Sequence, residues 1–273
     1  MRSLLLIGTG LVGGSFAKAA KTRAVFDRIV GVDRDRGALD RALELDIIDE
    51  AADGPGSDCD AVCVAVPVGA IADHVRDAAL HCSGPVFDVG SVKGPVIDAL
   101  HPMPPNFVPC HPIAGSELHG PTAARADLFE DRVAVMTPVA ETDGGALDAV
   151  RGYWEAVGAR VVEQTPVSHD RCFALVSHLP HLVAFAFMDA AARAGPFQHV
   201  GNGFRDFVRI AGADVDVWTD ILHANAGQIR PRLDELIKTL GDFRSAMEKG
   251  GESLRRRVES AASAKRAFDE ADR

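Results

Sequence analysis

The sequence has no run of about 18 apolar residues, the length a membrane-spanning helix needs. Its most apolar later stretch, Leu182 to Met188, is seven residues closed by His181 and Asp189. It has no CxxC pair, and its five cysteines (Cys59, Cys63, Cys82, Cys110, Cys172) are odd in number and scattered, which excludes a disulfide framework and fits a reducing cytoplasm. It lacks positive charge: 29 Lys and Arg stand against 39 Asp and Glu, a net of −10, so a nucleic acid is a poor partner and a small molecule or another protein a better one. No internal repeat or low-complexity linker appears. The first apolar run, Leu4 to Ile7, lies too close to Met1 and is too short for a signal peptide. What is present is ordinary globular composition, 47% hydrophobic and 25% charged over 273 residues. At ~150 residues per domain this predicts two domains in a cytoplasmic protein, with a core that needs no metal or disulfide staple.

Up to about residue 165, short β-branched runs alternate with helical stretches, the pattern of a mostly parallel sheet wrapped by helices. The strands are expected at Ser3 to Ile7, Arg28 to Asp33, Ala61 to Val66, Val86 to Val89, Asn106 to Cys110, Val133 to Met136 and Arg160 to Glu163. After Thr165-Pro166 the strand signals stop. An α/β domain over residues 1–165 and an all-α domain over 166–273 follow as the expected division. From Trp218 to Leu240 apolar residues recur at three- and four-residue steps, with Pro231 expected to kink or interrupt that helix. The segment around Leu182 carries more apolar residues than one helix face needs, and is expected to be buried on most sides. Residues 230–273 hold 11 Lys or Arg against 9 Asp or Glu, so the negative charge lies on the preceding part. Arg255-Arg256-Arg257 has acidic neighbours and reads as a solvated helix face.

The first strand runs into Gly8-Thr9-Gly10-Leu11-Val12-Gly13, a GxGxxG sequence that opens a helix. In that role Gly8 allows the tight turn, Gly10 lets the backbone approach a pyrophosphate, and Gly13 lets the helix pack on the strand. The helix N-terminus offers N–H groups to the phosphates. A second strand ends at Asp33, twenty residues after Gly13. A carboxylate there accepts from both ribose hydroxyls and repels a 2′-phosphate, which favours NAD. Arg34 keeps NADP open, since a guanidinium pairs with a 2′-phosphate. The plainer alternative is a tight turn with Asp33 capping the next helix.

Among ten histidines, His111 stands out because His111-Pro112-Ile113-Ala114-Gly115-Ser116-Glu117 follows a strand, at the carboxyl edge of the sheet where such folds bind ligands. It is either a general base for a hydroxyl proton or a structural histidine. Ser91, in Asp88-Val89-Gly90-Ser91-Val92-Lys93-Gly94, either bonds substrate or cofactor or caps the following helix. His178 and His181 are three apart and can share a helix face, but no HExxH or carboxylate-rich partner makes them a metal site.

Taken in order, GTGLVGGS, Asp33, the VAVP of Val64 to Pro67, DVGSVKG, HPIAGSE, SHLPH and FRDFVRIAGAD resemble the prephenate/arogenate dehydrogenase family of tyrosine biosynthesis. The resemblance implies a Rossmann-type NAD-binding domain followed by a helical domain that dimerises. It implies that His111 is the catalytic histidine, that Ser91 contacts the same ring hydroxyl and the cofactor, and that Arg209 binds the ring carboxylate. Ser177, His178, His181, Ser116, Glu117, Asp206 and Trp218 match residues that line or gate the pocket. Gly8, Gly10, Leu11, Val12, Gly13, Asp33, Val66, Pro67 and Ser91 match the cofactor side. Val208 stands where many relatives carry Thr. The chain stops soon after its helical region, so no regulatory or chorismate mutase domain is expected. The implied activity is NAD-dependent oxidative decarboxylation of prephenate, with arogenate as the alternative substrate. A β-hydroxyacid dehydrogenase and a catalytically silent NAD-binding regulator are the competing readings.

Overall fold

The computed structural model describes residues 2–54, 59–116, 118–195 and 197–271. Strand and helix alternate from the start: β1 (Ser3–Ile7), α1 (Leu11–Thr22), β2 (Arg28–Val32), α2 (Arg36–Glu44), β3 (Glu50–Ala51), β4 (Ala61–Val64), α3 (Val68–His81), β5 (Val86–Asp88), α4 (Gly94–Ala99) and β6 (Phe107–Val108). The six strands are parallel, in the order β3-β2-β1-β4-β5-β6. The order reverses between β1 and β4, and ligands of open α/β sheets bind outside the carboxyl ends of the strands at such a point. Ile7 pairs with both Val32 and Val64, so Gly8, Asp33 and Ala65 leave the sheet side by side.

Side-chain alternation along β1 builds two apolar layers. Leu4 and Leu6 face Phe16, Leu39 and Trp154, whereas Leu5 and Ile7 face Ile71, Val75 and Val96. In the first layer Phe16 meets Trp154 and Phe87 edge to face at 5.0 and 5.1 Å between centroids, a favoured aromatic geometry.

The expected strand Asn106 to Cys110 is in fact two. Pro109 has no N–H for a ladder; Phe107–Val108 closes the first sheet, and β7 (Cys110–Pro112) opens a second with β8 (Val133–Met136) and β9 (Arg160–Glu163). β7 runs antiparallel to β8, and β8 parallel to β9, with α5 (Gly144–Ala156) between them in sequence. His111 therefore sits within a strand, opposite Val135, rather than in a loop after one.

Beyond β9 the chain is helical: α6 (Pro166–Phe173), a wider π turn over Ala174–His178, α7 (Leu179–Ala194), α8 (Asn202–Val208), a 3₁₀ turn over Arg209–Gly212, α9 (Val215–Ala224), α10 (Ala226–Lys249) and α11 (Gly251–Ala271). Pro231 does not end its helix. It is the sixth residue of α10, past the four first N–H groups that have no helical partner, so the helix continues without the bond its amide would make to the Gly227 carbonyl. The break comes earlier, at Asn225.

The segment around Leu182 is also not buried on most sides. Of Leu182 to Met188 only Ala184 is buried, and Phe187 is 44% exposed. An apolar face left open this way is covered by another molecule or lies against solvent. Among the described residues one helix, Pro166–Ala194, is by length and composition apolar enough to cross a membrane, at 29 residues. His169, Asp170 and His178 lie within it and are hydrogen-bonded to other parts of the protein.

The chain divides into two compact units, Met1–Ala226 and Gly227–Arg273. The first holds both sheets together with α6 to α9. In the second, α10 and α11 are joined by an Arg257–Asp242 ion pair at 3.2 Å, and Ile237, Leu240, Met247, Val258 and Phe268 are exposed.

Candidate active site

Each glycine of the first turn is there for a different reason. Gly8 has φ +96°, and a Cβ on it would lie 2.3 Å from the Ala65 carbonyl oxygen. A Cβ on Gly13 would lie 2.3 Å from the Gly8 carbonyl oxygen and 2.7 Å from the Ala65 Cβ. A Cβ on Gly10 would meet nothing within 4 Å, so the space over the N-terminus of α1 is open. Gly10 is the N-cap of α1 and no side chain satisfies the first-turn N–H groups. Such an open, uncapped helix start suits a pyrophosphate. Leu11 and Val12 form the first turn, and Val66 and Pro67, both half-buried, carry β4 into α3 beside Gly8.

Asp33 does more than await a ribose. Its Oδ2 accepts from the Thr9 amide at 2.8 Å and the Thr9 hydroxyl at 2.9 Å, and its Oδ1 accepts from the Asp35 amide at 3.0 Å. It does not cap α2; Asp35 does, accepting from the Gly37 amide at 2.9 Å. The contrast between glycines gives an expected result. Gly8→Ala should destabilise the fold by about 3 kcal/mol, from a left-handed backbone and a backbone clash. Gly10→Ala should cost less than about 1 kcal/mol as a poorer cap, yet weaken NAD binding about tenfold by occupying the pyrophosphate approach. Urea unfolding and a fluorescence titration with NAD separate the two.

The second half of the site is a chain of side chains joining α6 to β7. Asp170 Oδ1 accepts from His169 Nδ1 at 2.8 Å, and His169 Nε2 lies 2.9 Å from His111 Nδ1. Burial alone would raise the Asp170 carboxyl, but hydrogen bonds from His169 and from the Lys93 and Gly94 amides, at 2.9 and 2.8 Å, outweigh it and keep it ionised. Burial pushes both imidazoles down, and the positive charge of Lys93 pushes them further, so both are neutral near pH 7. A carboxylate only accepts, so His169 Nδ1 carries the proton and its Nε2 the lone pair. His111 then donates through Nδ1, which leaves the lone pair of His111 on Nε2. The geometry allows one tautomer of each ring, and that tautomer makes His111 a base.

A wall of rings continues from there. Asn225 Nδ2 donates to the Asp170 carbonyl at 2.9 Å and lies 3.0 Å from His178 Nδ1, which therefore accepts and leaves an N–H at His178 Nε2. Burial brings the His178 imidazole down to about 4. His181 donates from Nδ1 to the Ser177 carbonyl at 3.0 Å and stacks on Trp218, 3.5 Å between centroids at 17°. Burial lowers the His181 imidazole, and the nearby Arg209 charge lowers it further. His178 meets the same indole edge-on at 6.1 Å.

Two family models match the chain: "prephenate dehydrogenase, nucleotide-binding domain" over residues 16–163 and "prephenate dehydrogenase, dimerization domain" over residues 165–259. The chain belongs to the prephenate dehydrogenase family. Like that family it is an NAD-dependent oxidoreductase. It is 34% identical over 259 residues to the cyclohexadienyl dehydrogenase of Zymomonas mobilis, covering 90% of this chain and 88% of that one. It is 32% identical to the prephenate dehydrogenase of Bacillus subtilis, covering 90% of this chain and 70% of that one. A crystal structure of the Aquifex aeolicus prephenate dehydrogenase in complex with hydroxyphenyl propionate and NAD⁺ superposes with a TM-score of 0.91 at 31% identity, covering 98% of each chain.

The sequence-predicted residues of this prephenate dehydrogenase family member fall into three groups. His111, His178, His181 and Trp218 belong to one connected set, and the Arg209 charge acts on its His181 end. Ser91 lies two residues before Lys93, half-buried, with its hydroxyl uncommitted among the described residues; it does not cap α4, whose N-cap is Lys93 and whose first amides are taken by Asp170. Ser116 is exposed and accepts from the Leu118 amide at 3.1 Å, Asp206 is exposed on α8, and neither touches the histidine chain among the described residues. Glu117 lies outside the described residues. Residues that sequence reasoning passed over are His169, Asp170 and Asn225. The His169-Asp170 pair in the first helix after Thr165 is the only linear signal, and nothing in it announces a partner 58 residues away.

Proposed function

We propose that this chain oxidises and decarboxylates prephenate to 4-hydroxyphenylpyruvate with NAD, with His111 as the proton acceptor. The Asp170–His169–His111 chain carries this reading, because it leaves a lone pair on His111 Nε2. NAD, when bound over Gly10, accepts hydride from the carbinol carbon. His111 takes the hydroxyl proton, and the Asp170 carboxylate stabilises the positive charge that then spreads over the two imidazoles. Ser91 donates to or accepts from the same hydroxyl and orients it. Loss of the ring carboxylate as CO₂ makes the ring aromatic and drives the reaction, so the protein mainly orients and takes the proton. Arg209 holds that carboxylate, the stacked His181 and Trp218 form a flat wall for the ring, the His178 N–H and Ser177 line the pocket, and the exposed Ser116 and Asp206 gate it.

The functional boundary is placed at residue 165, with 1–165 binding NAD and 166–273 supplying substrate contacts and the interface of a homodimer. The family description of the second domain and the open apolar faces of α7 and α10 support the dimer. The five free cysteines suit reducing conditions, which supports a cytoplasmic location.

NADH formation by the purified protein, tried with prephenate, arogenate and 3-hydroxyisobutyrate and with NAD and NADP, tests the proposal. No turnover of either cyclohexadienyl substrate would overturn it. Arogenate is the second reading because the Zymomonas mobilis relative is named for the wider cyclohexadienyl class. Arg209→Ala should raise KM roughly tenfold to a hundredfold, the worth of a charged hydrogen bond, with a smaller change in kcat. An unchanged KM removes Arg209 from the site.

A further inference from the structure

The wholly buried Lys93 has no task in the chemistry above, and its surroundings show what it does. Its ammonium bonds Asp88 Oδ2 and, at 2.6 Å, the Cys110 carbonyl oxygen. The equally buried Asp88 accepts from the Cys110 amide at 2.9 Å through Oδ1 and from the Gly90 amide at 2.9 Å through Oδ2. Between them the two side chains hold both backbone groups of Cys110, the residue next to His111. This is also where the chain leaves the first sheet at Pro109, so the pair replaces the ladder that the strand break removes. The backbone of Lys93 meanwhile donates to Asp170, the far end of the histidine chain. A Cβ on Gly90 would lie 2.4 Å from Ile71 Cδ1 and 2.9 Å from Asp88 Oδ2, so the pair is packed without slack.

We propose that Lys93, together with Asp88, is a positioning residue for proton transfer: the pair grips Cys110 and so fixes where the adjoining His111 imidazole stands. Its charge adds a second effect. The titratable groups around the pair are Cys63 on β4, Cys110 and His111 on β7, His169 and Asp170 on α6, and His178 on the π turn. Burial is the largest effect opposing protonation of His111; a proton on His169 or His178 would oppose it further, and the permanent Lys93 charge does so at every pH where His111 titrates. The proposal rests on His111 being the proton acceptor.

The test uses full-length Lys93→Met and the charge-neutral double variant Lys93→Met/Asp88→Asn. Both should bind NAD within about threefold of wild type, since the Gly-rich turn is untouched, and kcat should fall roughly tenfold to a hundredfold with little change in KM, as a displaced base costs rate rather than affinity. In Lys93→Met, with one opposing charge gone, the acid limb of kcat/KM and the His111 resonance in NMR should both titrate at higher pH, by about half a unit or more, whereas the double variant loses the Asp88 charge as well and should move less. The resonance needs no substrate, so it stays readable if wild type turns over neither cyclohexadienyl compound, which would count against the activity and not against the positioning role. A folded variant with kcat within twofold of wild type overturns the proposal. So does a fall in NAD affinity and kcat together with an unmoved His111 titration in Lys93→Met, the mark of a merely structural lysine. If neither variant folds, Lys93 serves the fold and the proposal fails.

Discussion

His111→Asn is expected to lower kcat by roughly 10²- to 10⁴-fold while KM changes little. Asparagine keeps a hydrogen-bonding group of similar reach, so substrate is still held, but it has no basic lone pair for a hydroxyl proton. The pH profile adds a direction. Burial first, and the charge of Lys93 with it, hold the His111 imidazole well below the usual histidine range, and protonation of the neighbouring His169 or His178 would hold it lower still; a base works only when neutral. In wild type kcat should therefore stay level from pH 8 down through ~6.5, the ordinary histidine value, and fall only on the acid side of it. In the variant that acid limb should vanish along with most of the rate. Steady-state kinetics across pH decides it; a limb centred at or above the ordinary value, or a variant within tenfold of wild type, would show that the base lies elsewhere.

Asp170→Asn should cost roughly 10²- to 10³-fold in kcat, with NAD affinity nearly unchanged. The carboxylate dictates that His169 carries its proton on Nδ1. An amide can turn its NH₂ toward that nitrogen, which reverses the ring: the proton moves to Nε2, now donating to His111 Nδ1. His111 must then keep its own proton on Nε2 and point a donor at the substrate hydroxyl. A corresponding change in a hydrolase triad costs about 10⁴-fold; the effect here is smaller because the carboxylate acts through an intervening ring. Asp170 also takes the first amides of α4, so an unfolding curve is measured alongside. Equal loss of stability and rate in Asp170→Asn and Asp170→Ala would reduce the residue to a helix cap.

What could be seen in the sequence was whatever depends on neighbours along the chain. The GxGxxG turn, Asp33 and the strands Ser3–Ile7, Val133–Met136 and Arg160–Glu163 are local, and the expected and observed limits of these strands coincide. His111 was visible as a histidine at a strand end. His169 was not, because its significance is a distance to a residue 58 positions earlier. The split at Pro109 was missed for a related reason: an apolar run shows that a strand forms but not which sheet it joins. The exposed Phe187 face shows the opposite failure, in which apolar content predicted burial that a single chain does not provide.

The π turn at Ala174–His178 has a consequence for helix phase. Asn225 binds the Asp170 carbonyl and His178 Nδ1 with the same nitrogen, so residues eight apart must present themselves to one point. On a regular α-helix eight residues leave them about 80° out of phase, whereas seven leave them only about 20° apart. A π turn takes up one extra residue without advancing the rotation by a full step. Spaced eight apart in sequence, Asp170 and His178 are thereby brought close to the phase of residues seven apart, and a single irregular turn aligns the base-orienting end of the helix with its substrate-facing end.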